Sequence, residues 1–459
     1  MHKQKWFAYI LALIILAGHT YLGYTLERFN HAALFPIYFL LFAVYLWILK
    51  KSDEHSIRFW LYVSFAARLC LLFSLPLLSD DFYRFIWDGR LLTQGINPFT
   101  ELPSYYLSES KSIIGIDNQL FDHLNSQQYY SVYPPLAQFI FWVSVVLSPD
   151  SILGSVVIMR LFILAAEIGS IILLWKLTAT LNTARKNVLI YALNPLVIIE
   201  LTGNLHFEAI VIFFVLLTIY LLAQVKIWHA GFAFALAVMA KLLPLVLLPQ
   251  FFTRLGLRKS FFFYLTVGIT CLLVSLPFIT NEMINGLGSG LGLYFGKFEF
   301  NASIYYIVRE YGYLTKGYNI IQSVGWKLAL ISTLTILLIS IWPLRGLGKR
   351  ILSSPETVLP IEKMATTMVW VLLIYYLLAT TVHPWYITSM VAFSALTRYR
   401  FAVIWSGLIF LTYSGYHRTG FEENLYLVAL EYIVLIAYMV YELFSFRNMK
   451  LDAKPAKTA

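Results

Sequence analysis

Long apolar runs separated by short polar segments dominate the chain and predict a membrane protein. A helix needs about 20 consecutive apolar residues to cross the hydrocarbon core of a bilayer. We interpret the runs that approach this length as membrane-spanning helices. They are residues 6–26, 32–49, 57–78, 152–174, 206–224, 261–279, 319–342, 364–382 and 425–446.

Other apolar segments are shorter or interrupted, at residues 134–147, 188–200, 230–252, 384–396 and 401–414. Lys241 and Pro244 divide the segment 230–252, which predicts two half-helices that enter and return. Such broken helices are tolerated where protein covers the backbone. The pattern predicts an all-α membrane protein, one integral domain over residues 1–459, with about 11–13 transmembrane helices.

Composition supports this class and excludes others. The chain is 59% hydrophobic and only 13% charged, which a soluble protein could not accommodate on its surface. A net charge of +10 would suggest nucleic acid in a soluble protein, but here the basic residues lie in short loops. The lipid bilayer is therefore the expected partner, and no nucleic acid is expected. Cys70 and Cys271 both lie in apolar runs, so we predict no disulfide.

Basic loops predict the orientation, because lysine and arginine favour the cytoplasmic side. Both termini are predicted to be cytoplasmic, with a short basic tail at 447–459, and further inside loops at 50–58, 254–259, 345–350 and 398–400. Two large outer loops, 79–133 and 281–318, then carry short interfacial helices. Basic residues at 176–186 also look cytoplasmic, which breaks the alternation. Either 134–147 does not cross fully, or those basic residues lie outside.

An acidic motif opens the first outer loop, directly after the predicted span 57–78. Asp80 and Asp81 are the candidate catalytic residues, because a partly desolvated carboxylate can act as general base on a hydroxyl. The pair could instead hold a divalent cation, or one Asp could cap the next helix. Further along the same helix we predict substrate contacts from four residues: Tyr83, Arg84, Trp87 and Asp88.

Polar residues also gather near the same predicted face at Asn204, His206 and Glu208. Intramembrane ionisable residues indicate function by default, so we predict substrate contacts here. The Pro-Cys-x-x-Cys partner of a zinc deaminase and a His-Glu-x-x-His motif are both missing from the sequence, so no metal ligands are assigned. Lys241 is interpreted as a snorkelling or helix-packing residue.

The remaining candidates follow later spans. Lys297 and Asn301 lie in the second outer loop, where an amphipathic interfacial helix is an equally good interpretation. His383, Trp385 and Tyr386 follow the predicted span 364–382, although an aromatic belt would account for the last two. Two more candidates precede the final span. These are His417 and Arg418, of which the arginine suits a phosphate.

Several of these motifs, taken in order, resemble a known family. Asp80–Arg90 with Gly95-Ile96-Asn97-Pro98-Phe99 is similar to the bacterial polyprenol-phosphate-mannose-dependent mannosyltransferases of the GT-C fold. The resemblance continues to Tyr386, and two of the spans before Asp80 count as an addition to it. The motifs that continue it are Tyr133-Pro134-Pro135-Leu136, Asn194-Pro195-Leu196, Asn204-Leu205-His206, Lys241-Leu242-Leu243-Pro244, Phe300-Asn301-Ala302-Ser303 and His383-Pro384-Trp385-Tyr386.

The resemblance implies a GT-C-like bundle and an inverting transfer of a single sugar, with mannose expected. The donor would be a polyprenyl-phosphate sugar, and the acceptor a hydroxyl on a glycan or glycolipid at the outer face of the bacterial inner membrane. Asp80 or Asp81 matches the acidic residue that deprotonates the acceptor. Arg418, Lys297 and His383 are the candidates for binding the donor phosphate.

Three other interpretations remain open from the sequence. A transporter or flippase for a lipid-linked sugar would also use broken helices and buried charge. An oligosaccharide-transferring ligase would use a diphosphate-linked glycan. A non-catalytic membrane scaffold would tolerate a conservative change of either aspartate.

Overall fold

The computed structural model describes residues 2–107, 113–181, 183–341 and 361–452, and almost all of the regular structure in them is helical. The predicted inside loop at 345–350 lies outside these residues, as does the end of the predicted tail, 453–459. The backbone of the last helix continues to Asp452.

The helices of the first half lead from the N-terminus to the middle of the bundle. They are α1 His2–Tyr24, α2 His31–Lys51, α3 Ile57–Cys70, α4 Asp81–Thr93, α5 Asn118–Asp122, α6 Pro135–Leu147, α7 Ile152–Thr180, α8 Leu189–Ala192, α9 Pro195–Val197 and α10 Glu208–Ala223. A π-helical turn, Ile198–Gly203, continues α9. Short 3-10 turns lie at Pro103–Leu107 and Arg185–Val188.

The second half contains the remaining helices and one small hairpin. The helices are α11 Ile227–Ala240, α12 Pro249–Ser275, α13 Asn281–Gly296, α14 Ile304–Lys316, α15 Ile321–Ile341, α16 Ile361–Leu378, α17 Ile387–Ser394, α18 Phe401–Leu408 and α19 Leu425–Asp452. Short 3-10 turns lie at Leu243–Leu247, Leu276–Phe278, Pro384–Tyr386 and Ile409–Gly415. Strands β1 Tyr416–His417 and β2 Gly420–Phe421 pair antiparallel.

In the described part of the chain, 7 helices are long and apolar enough to cross a membrane, or up to 8 if the bent pair Pro195–Gly203 and Glu208–Ala223 is one span. That pair bends by 114°. Three shorter apolar helices accompany them: Pro135–Leu147, Ile227–Ala240 and Phe401–Gly415. The protein is therefore an all-α multi-pass membrane protein. The finer count of about 11–13 spans stays a prediction.

Some predicted spans differ in length from the helices. The run 57–78 forms a helix only to Cys70 and then a turn, and Arg68 in the last turn of that helix forms a buried ion pair. The run 242–252 is a 3-10 turn followed by the start of α12, and Gly256, with φ of +71°, divides α12 in two. The predicted pair of matched half-helices is therefore wrong in its second half.

The helix α6 bears on the alternation problem at 134–200. With 13 residues, α6 is only about 20 Å long, shorter than the roughly 30 Å of a hydrocarbon core. Lys176, near the end of α7, lies 5.2 Å above the ring of Tyr220 at the C-terminal end of α10. Glu208 lies at the opposite, N-terminal end of α10. The basic residues at the end of α7 therefore lie away from the predicted site. The shortness of α6 favours the alternative in which 134–147 does not cross fully, and the topology of this region stays a prediction.

A buried ion pair ties α3 to α7. The guanidinium of Arg68 lies 2.8 Å from Glu167 Oε1, and both side chains are fully buried. Arg68 also donates to the carbonyl of Ala192 at 2.7 Å, and Glu167 accepts a short hydrogen bond from Thr202. A buried charge is costly unless it is paired and hydrogen-bonded, and this pair satisfies that condition. The network holds the segment between α8 and α10 against two long helices.

Arg160 of α7 fixes the π-helical turn directly. It is fully buried and donates to the carbonyl oxygens of Thr202 at 2.7 Å and Gly203 at 3.0 Å. A third bond, at 2.7 Å, reaches the carbonyl of Leu72 after α3. Backbone carbonyls at a helix end need such partners, especially in an apolar interior. Arg160 thus determines where Glu200 and the residues after it emerge.

The helix α4 packs on α6 through a second polar network. Arg84 pairs with Asp88 one turn later at 2.8 Å, and Asp88 Oδ2 accepts from Ser131 at 2.5 Å and from Gln138 at 2.8 Å. At Gly89 the two backbones approach so closely that a Cβ would lie 2.6 Å from the carbonyl oxygen of Phe141. Only glycine fits there without displacing a helix. This packing positions the N-terminus of α4, where the acidic pair lies.

Candidate active site

The loops that carry most predicted site residues meet at one end of the bundle. We call this the loop end, and it comprises the described parts of residues 25–31, 79–133, 297–303, 380–386 and 416–423. Tyr129 and Phe298 bring the two predicted outer loops together, with ring centroids 5.1 Å apart. The backbone of Phe300 bonds with Thr380 at 3.0 Å and Val382 at 2.8 Å. Residues far apart in sequence therefore form one surface.

Asp80 and Asp81 are partly exposed at the start of α4. Asp80 precedes the helix but its side chain makes no capping hydrogen bond, so the capping interpretation is wrong. Its Oδ2 instead lies 2.5 Å from the guanidinium of Arg28. Asp81 Oδ1 accepts from the side-chain amide of Asn125 at 2.7 Å. Each carboxylate thus has one oxygen held by a side chain from another segment.

Arg28 and Tyr416 extend the surroundings of the acidic pair. The guanidinium of Arg28 lies 4.9 Å from the centre of the Tyr416 ring, in the range of a cation–π contact. Burial raises the pKa of Tyr416, the charge of Arg28 lowers it, and Asp81, then Glu200 and Asp80, raise it again. One tyrosine ring therefore feels charges from three separate segments of the chain.

Glu200, in the π-helical turn, connects Tyr413 to the next group of residues. It is fully buried, accepts from the Tyr413 hydroxyl at 2.7 Å, and lies 3.3 Å from both His206 Nδ1 and Asn204 Nδ2. The backbone carbonyl of Glu200 also bonds His206 Nδ1 at 2.9 Å. With Nδ1 engaged, Nε2 of His206 is the free ring nitrogen. It is buried without a hydrogen-bond partner among the described residues.

Two histidines flank the indole of Trp385. The rings of His206 and Trp385 are stacked with centroids 3.7 Å apart, and His383 stacks on Trp385 at 4.4 Å. We call these three residues the His-Trp-His stack. Burial, with the nearby charges of Lys241 and His206, lowers the pKa of His383 to about 3. His383 is therefore neutral near pH 7, and it offers a hydrogen bond to an anion but no positive charge.

Lys241 supplies the positive charge beside the stack. It forms a close ion pair with Glu208, and its ammonium lies 4.7 Å from the ring centre of Tyr386. Glu208 is buried and its Oε2 has no hydrogen-bond partner among the described residues. Lys241 is predicted from the sequence to snorkel or to pack between helices. In the structure it forms an ion pair at the edge of the site, and its side chain is 30% exposed.

An apolar groove begins at the same place. It has a volume of about 250 Å³ and lies between the 3-10 turn after Lys241, α15 and α16. Its walls include Leu242, Leu243, Ala329, Ile336, Leu378 and Thr380. Lys241 immediately precedes the first of these residues and His383 follows the last by three positions. The groove therefore reaches the loop end at Thr380, whose carbonyl accepts a hydrogen bond from the backbone of Phe300.

Several predicted contacts are placed in the packed scaffold. Trp87 and Asp88 are fully buried, and Asp88 is saturated by Arg84, Ser131 and Gln138. In this structure they hold α4 in place, and a direct contact with substrate stays a prediction. Tyr83 differs, because it is partly exposed beside His123, with ring centroids 4.7 Å apart.

The candidates for phosphate binding do not come together. Lys297 is exposed, and Arg418 is exposed with its guanidinium 5.2 Å above the ring of Phe29. His417 is exposed beside His31, at 5.6 Å between ring centroids. Of the three residues predicted to bind phosphate, only His383 lies in the His-Trp-His stack near Lys241. The role of the other two stays a prediction.

Asn301 has a role in shaping the second loop. It is fully buried with a positive φ of 47°, and its backbone N–H donates to Glu423 at 2.5 Å. Its side-chain amide donates to Glu431 at 3.1 Å, and its carbonyl accepts from Tyr432 at 2.7 Å. Asn tolerates the left-handed conformation better than most residues. The position is therefore structural in this conformation, and its predicted substrate contact is not tested.

A family model for the alpha-(1→6)-mannopyranosyltransferase N-terminal domain matches residues 19–255, just over half of the chain. The chain belongs to this family. It is a mannosyltransferase, and the family predicted from the sequence motifs is confirmed. The match begins in α1, so it takes in α2 and α3, whereas the motif-based resemblance starts at Asp80 and counts two spans before it as an addition. No curated protein matches the chain.

Sequence reasoning missed several residues around the mannosyltransferase site. Arg28, Asn125 and Tyr413 contact the acidic pair or Glu200, yet each lies in a segment without a motif. Tyr416, which contacts Arg28, was not predicted as a site residue although it precedes His417 and Arg418. Arg28 carried one signal: it is a basic residue in a turn predicted to be outside, against the usual charge bias. Among the described residues, no group of three or more His, Cys, Asp or Glu side chains converges as metal ligands would.

Replacing Trp385 with alanine is expected to lower kcat/KM for mannosyl transfer by about 10- to 100-fold, because the rings of His206 and His383 lose the indole that holds them in place and small misplacements of site residues can cost that much. Steady-state kinetics in detergent would measure it. Trp385→Phe keeps an aromatic face and should retain more activity, while Trp228→Ala makes the same change outside the loop end. Equal activity of Trp385→Ala and wild type would exclude a role for the stack.

Proposed function

We propose that this mannosyltransferase takes mannose from a polyprenyl-phosphate donor and transfers it, with inversion, to a hydroxyl of a glycan or glycolipid at the outer face of the bacterial inner membrane. One observation carries the proposal: an apolar groove is lined by Leu242, which follows Lys241 in the chain, and by Thr380, whose carbonyl accepts a hydrogen bond from Phe300 at the loop end. A water-soluble nucleotide donor would have no use for such a groove. A prenyl chain buries apolar surface there, which is favourable.

In this proposal the donor phosphate binds beside Lys241 and His383. The Lys241 ammonium and the neutral imidazole of His383 supply a charge and a hydrogen bond, in the arrangement that anions favour. The free Nε2 of His206 and the stacked face of Trp385 then lie where the sugar would be held. An aromatic face suits the apolar side of a hexose ring.

Transfer itself requires a base and a leaving group. One carboxylate of the acidic pair, Asp80 or Asp81, accepts the proton of the acceptor hydroxyl. The oxygen of that hydroxyl attacks the anomeric carbon at the same time. The bond to the phosphate oxygen breaks and the lipid phosphate leaves with the electron pair. Because attack and departure occur on opposite faces, a β-linked donor yields an α-mannoside. Positioning and charge stabilisation account for much of the rate.

The sidedness of the site is supported by where charges lie. Lys50 and Lys51 end α2 at the opposite end from the turn 25–30, and Arg254 donates to the carbonyl of Lys363 in the first turn of α16. The loop end follows the C-terminus of the same α16 helix. Basic residues therefore concentrate away from the loop end, as the positive-inside rule requires for an outer site. A divalent cation at the acidic pair stays a prediction.

The donor class is tested with purified protein in proteoliposomes and radiolabelled polyprenyl-phosphate mannose, in parallel with nucleotide-diphosphate mannose. Membrane extract supplies the acceptor. We expect label to be transferred from the lipid donor alone, and the product linkage to be α by NMR. Transfer from the nucleotide donor instead would refute the proposal. Repeating the assay with EDTA decides whether a cation is needed, and running it without any gradient separates an enzyme from a transporter.

A further inference from the structure

The turn between α1 and α2 is packed against the C-terminal β-hairpin at three positions. Arg28 lies over the Tyr416 ring at 4.9 Å, Phe29 lies beneath Arg418 at 5.2 Å, and His31 lies 5.6 Å from His417. The turn and hairpin come from opposite ends of the chain. Of the side chains in the turn, Arg28 is the one that reaches the start of α4.

We propose that Arg28 is a positioning residue for the transfer reaction, which holds the Asp80 carboxylate in its working orientation while Tyr416 holds Arg28. The contact is 2.5 Å between Arg28 and Asp80 Oδ2, and both side chains are only partly exposed, at 27% and 36%. Among the described residues Oδ1 of Asp80 accepts no hydrogen bond, so one oxygen is held by Arg28 and the other is not. This inference rests on the proposed role of the acidic pair.

An arginine suits this task for a physical reason. Its planar guanidinium can stack on an aromatic face while its edge donates to a carboxylate, so one side chain is restrained from two directions. A lysine would keep the charge but lose the plane. Surface ion pairs contribute little to stability, with a median near 0–1 kcal/mol, so this contact is better explained by orientation than by folding energy.

Arg28→Gln is expected to lower kcat by about 10- to 100-fold with little change in KM for the donor, because small misplacements of a catalytic group cost that much. Arg28→Lys should retain more activity. Tyr416→Leu, which removes the supporting face, should resemble a milder Arg28 variant. Glu27→Gln, an exposed change in the same turn, and Arg58→Gln, an exposed loss of the same charge on α3, serve as controls.

A double-mutant cycle separates positioning from general stability. If Arg28 acts through Asp80, adding Arg28→Gln to Asp80→Asn changes the residual kcat by less than about 2-fold, whereas independent effects multiply. Chemical rescue is a second measurement, which does not depend on that residual rate. Methylguanidinium added to Arg28→Ala should replace the missing guanidinium and restore turnover. Rescue is not expected from a residue that merely supports folding.

Independent multiplication of the two effects, or an Arg28→Gln enzyme as active as its controls while Asp80→Asn is impaired, would overturn this inference and leave the proposed function standing. Wild-type activity in both Asp80→Asn and Asp81→Asn would be a different failure. It would remove the proposed role of the acidic pair, and the positioning role of Arg28 with it.

Discussion

Replacing Asp80 or Asp81 with asparagine is expected to lower the turnover number for mannosyl transfer by about 10²- to 10⁴-fold in at least one of the two variants, the usual contribution of a general base. Asparagine keeps the size of the side chain and its ability to accept a hydrogen bond, but it cannot take a proton. The rate is measured as product formed from the lipid-linked donor at saturating concentration.

The control for this experiment is Asp122→Asn, an exposed acidic residue in the same outer loop. All variants should insert and unfold like wild type, because both aspartates are partly exposed and neither caps α4. If one variant is inactive and the other is not, the base is identified. If both transfer mannose at the wild-type rate, the acidic pair has no role in proton transfer.

Removing one partner of the buried Arg68–Glu167 pair is the change with the largest expected effect on stability. Arg68→Met or Glu167→Leu should lower the free energy of unfolding by about 3–5 kcal/mol, because each leaves an uncompensated charge in an apolar interior. Arg68→Met also leaves the carbonyl of Ala192 without its donor at 2.7 Å. Thermal unfolding of purified protein in detergent would detect the loss as a lower midpoint temperature.

Two further variants make that result specific to the pair. The double variant Arg68→Met with Glu167→Leu should be less destabilised than the sum of the single changes, since it removes both charges together. Arg58→Met alters an exposed arginine on the same helix and should leave the midpoint close to wild type. A single variant that unfolds at the wild-type temperature would contradict the structural role assigned to this network.

Much of the fold was accessible to sequence reasoning, because a bilayer imposes a strong and local rule on apolar length. The predicted runs at 32–49 and 425–446 correspond closely to α2 and α19. The rule fails where a polar side chain interrupts the run. The run 57–78 contains the buried Arg68 and is helical only to Cys70, and α6 is confined to the 13 residues between Pro134 and Ser148.

Sequence motifs were less informative about which residues face the site. Asp80, His206, His383 and Trp385 are brought to one end of the bundle, as predicted. Trp87 lies one and a half turns along the same helix as Asp81 and is turned into the core, a distinction that requires knowing which helix packs on α4. A sequence motif does not distinguish residues that pack in the interior from residues that face the site.

Partners from distant segments could not be found this way at all. Tyr413 reaches Glu200 across 213 positions of sequence, and Asn125 reaches Asp81 across 44. No local pattern encodes such pairs, because they depend on how the bundle closes. The 114° bend at the π-helical turn had no sequence signal that we recognised either, although it is what carries Glu200 and His206 to the same place.

The seam between the turn 25–31 and the hairpin 416–423 has a consequence for biosynthesis. During translation, Arg28 emerges early, but the tyrosine that supports it is made only near the end of the chain. The segment matched by the family model, 19–255, therefore contains the acidic pair without His383, Trp385 or Tyr416. A ribosome that stalls after that segment would leave a chain that lacks His383, Trp385 and the tyrosine that contacts Arg28.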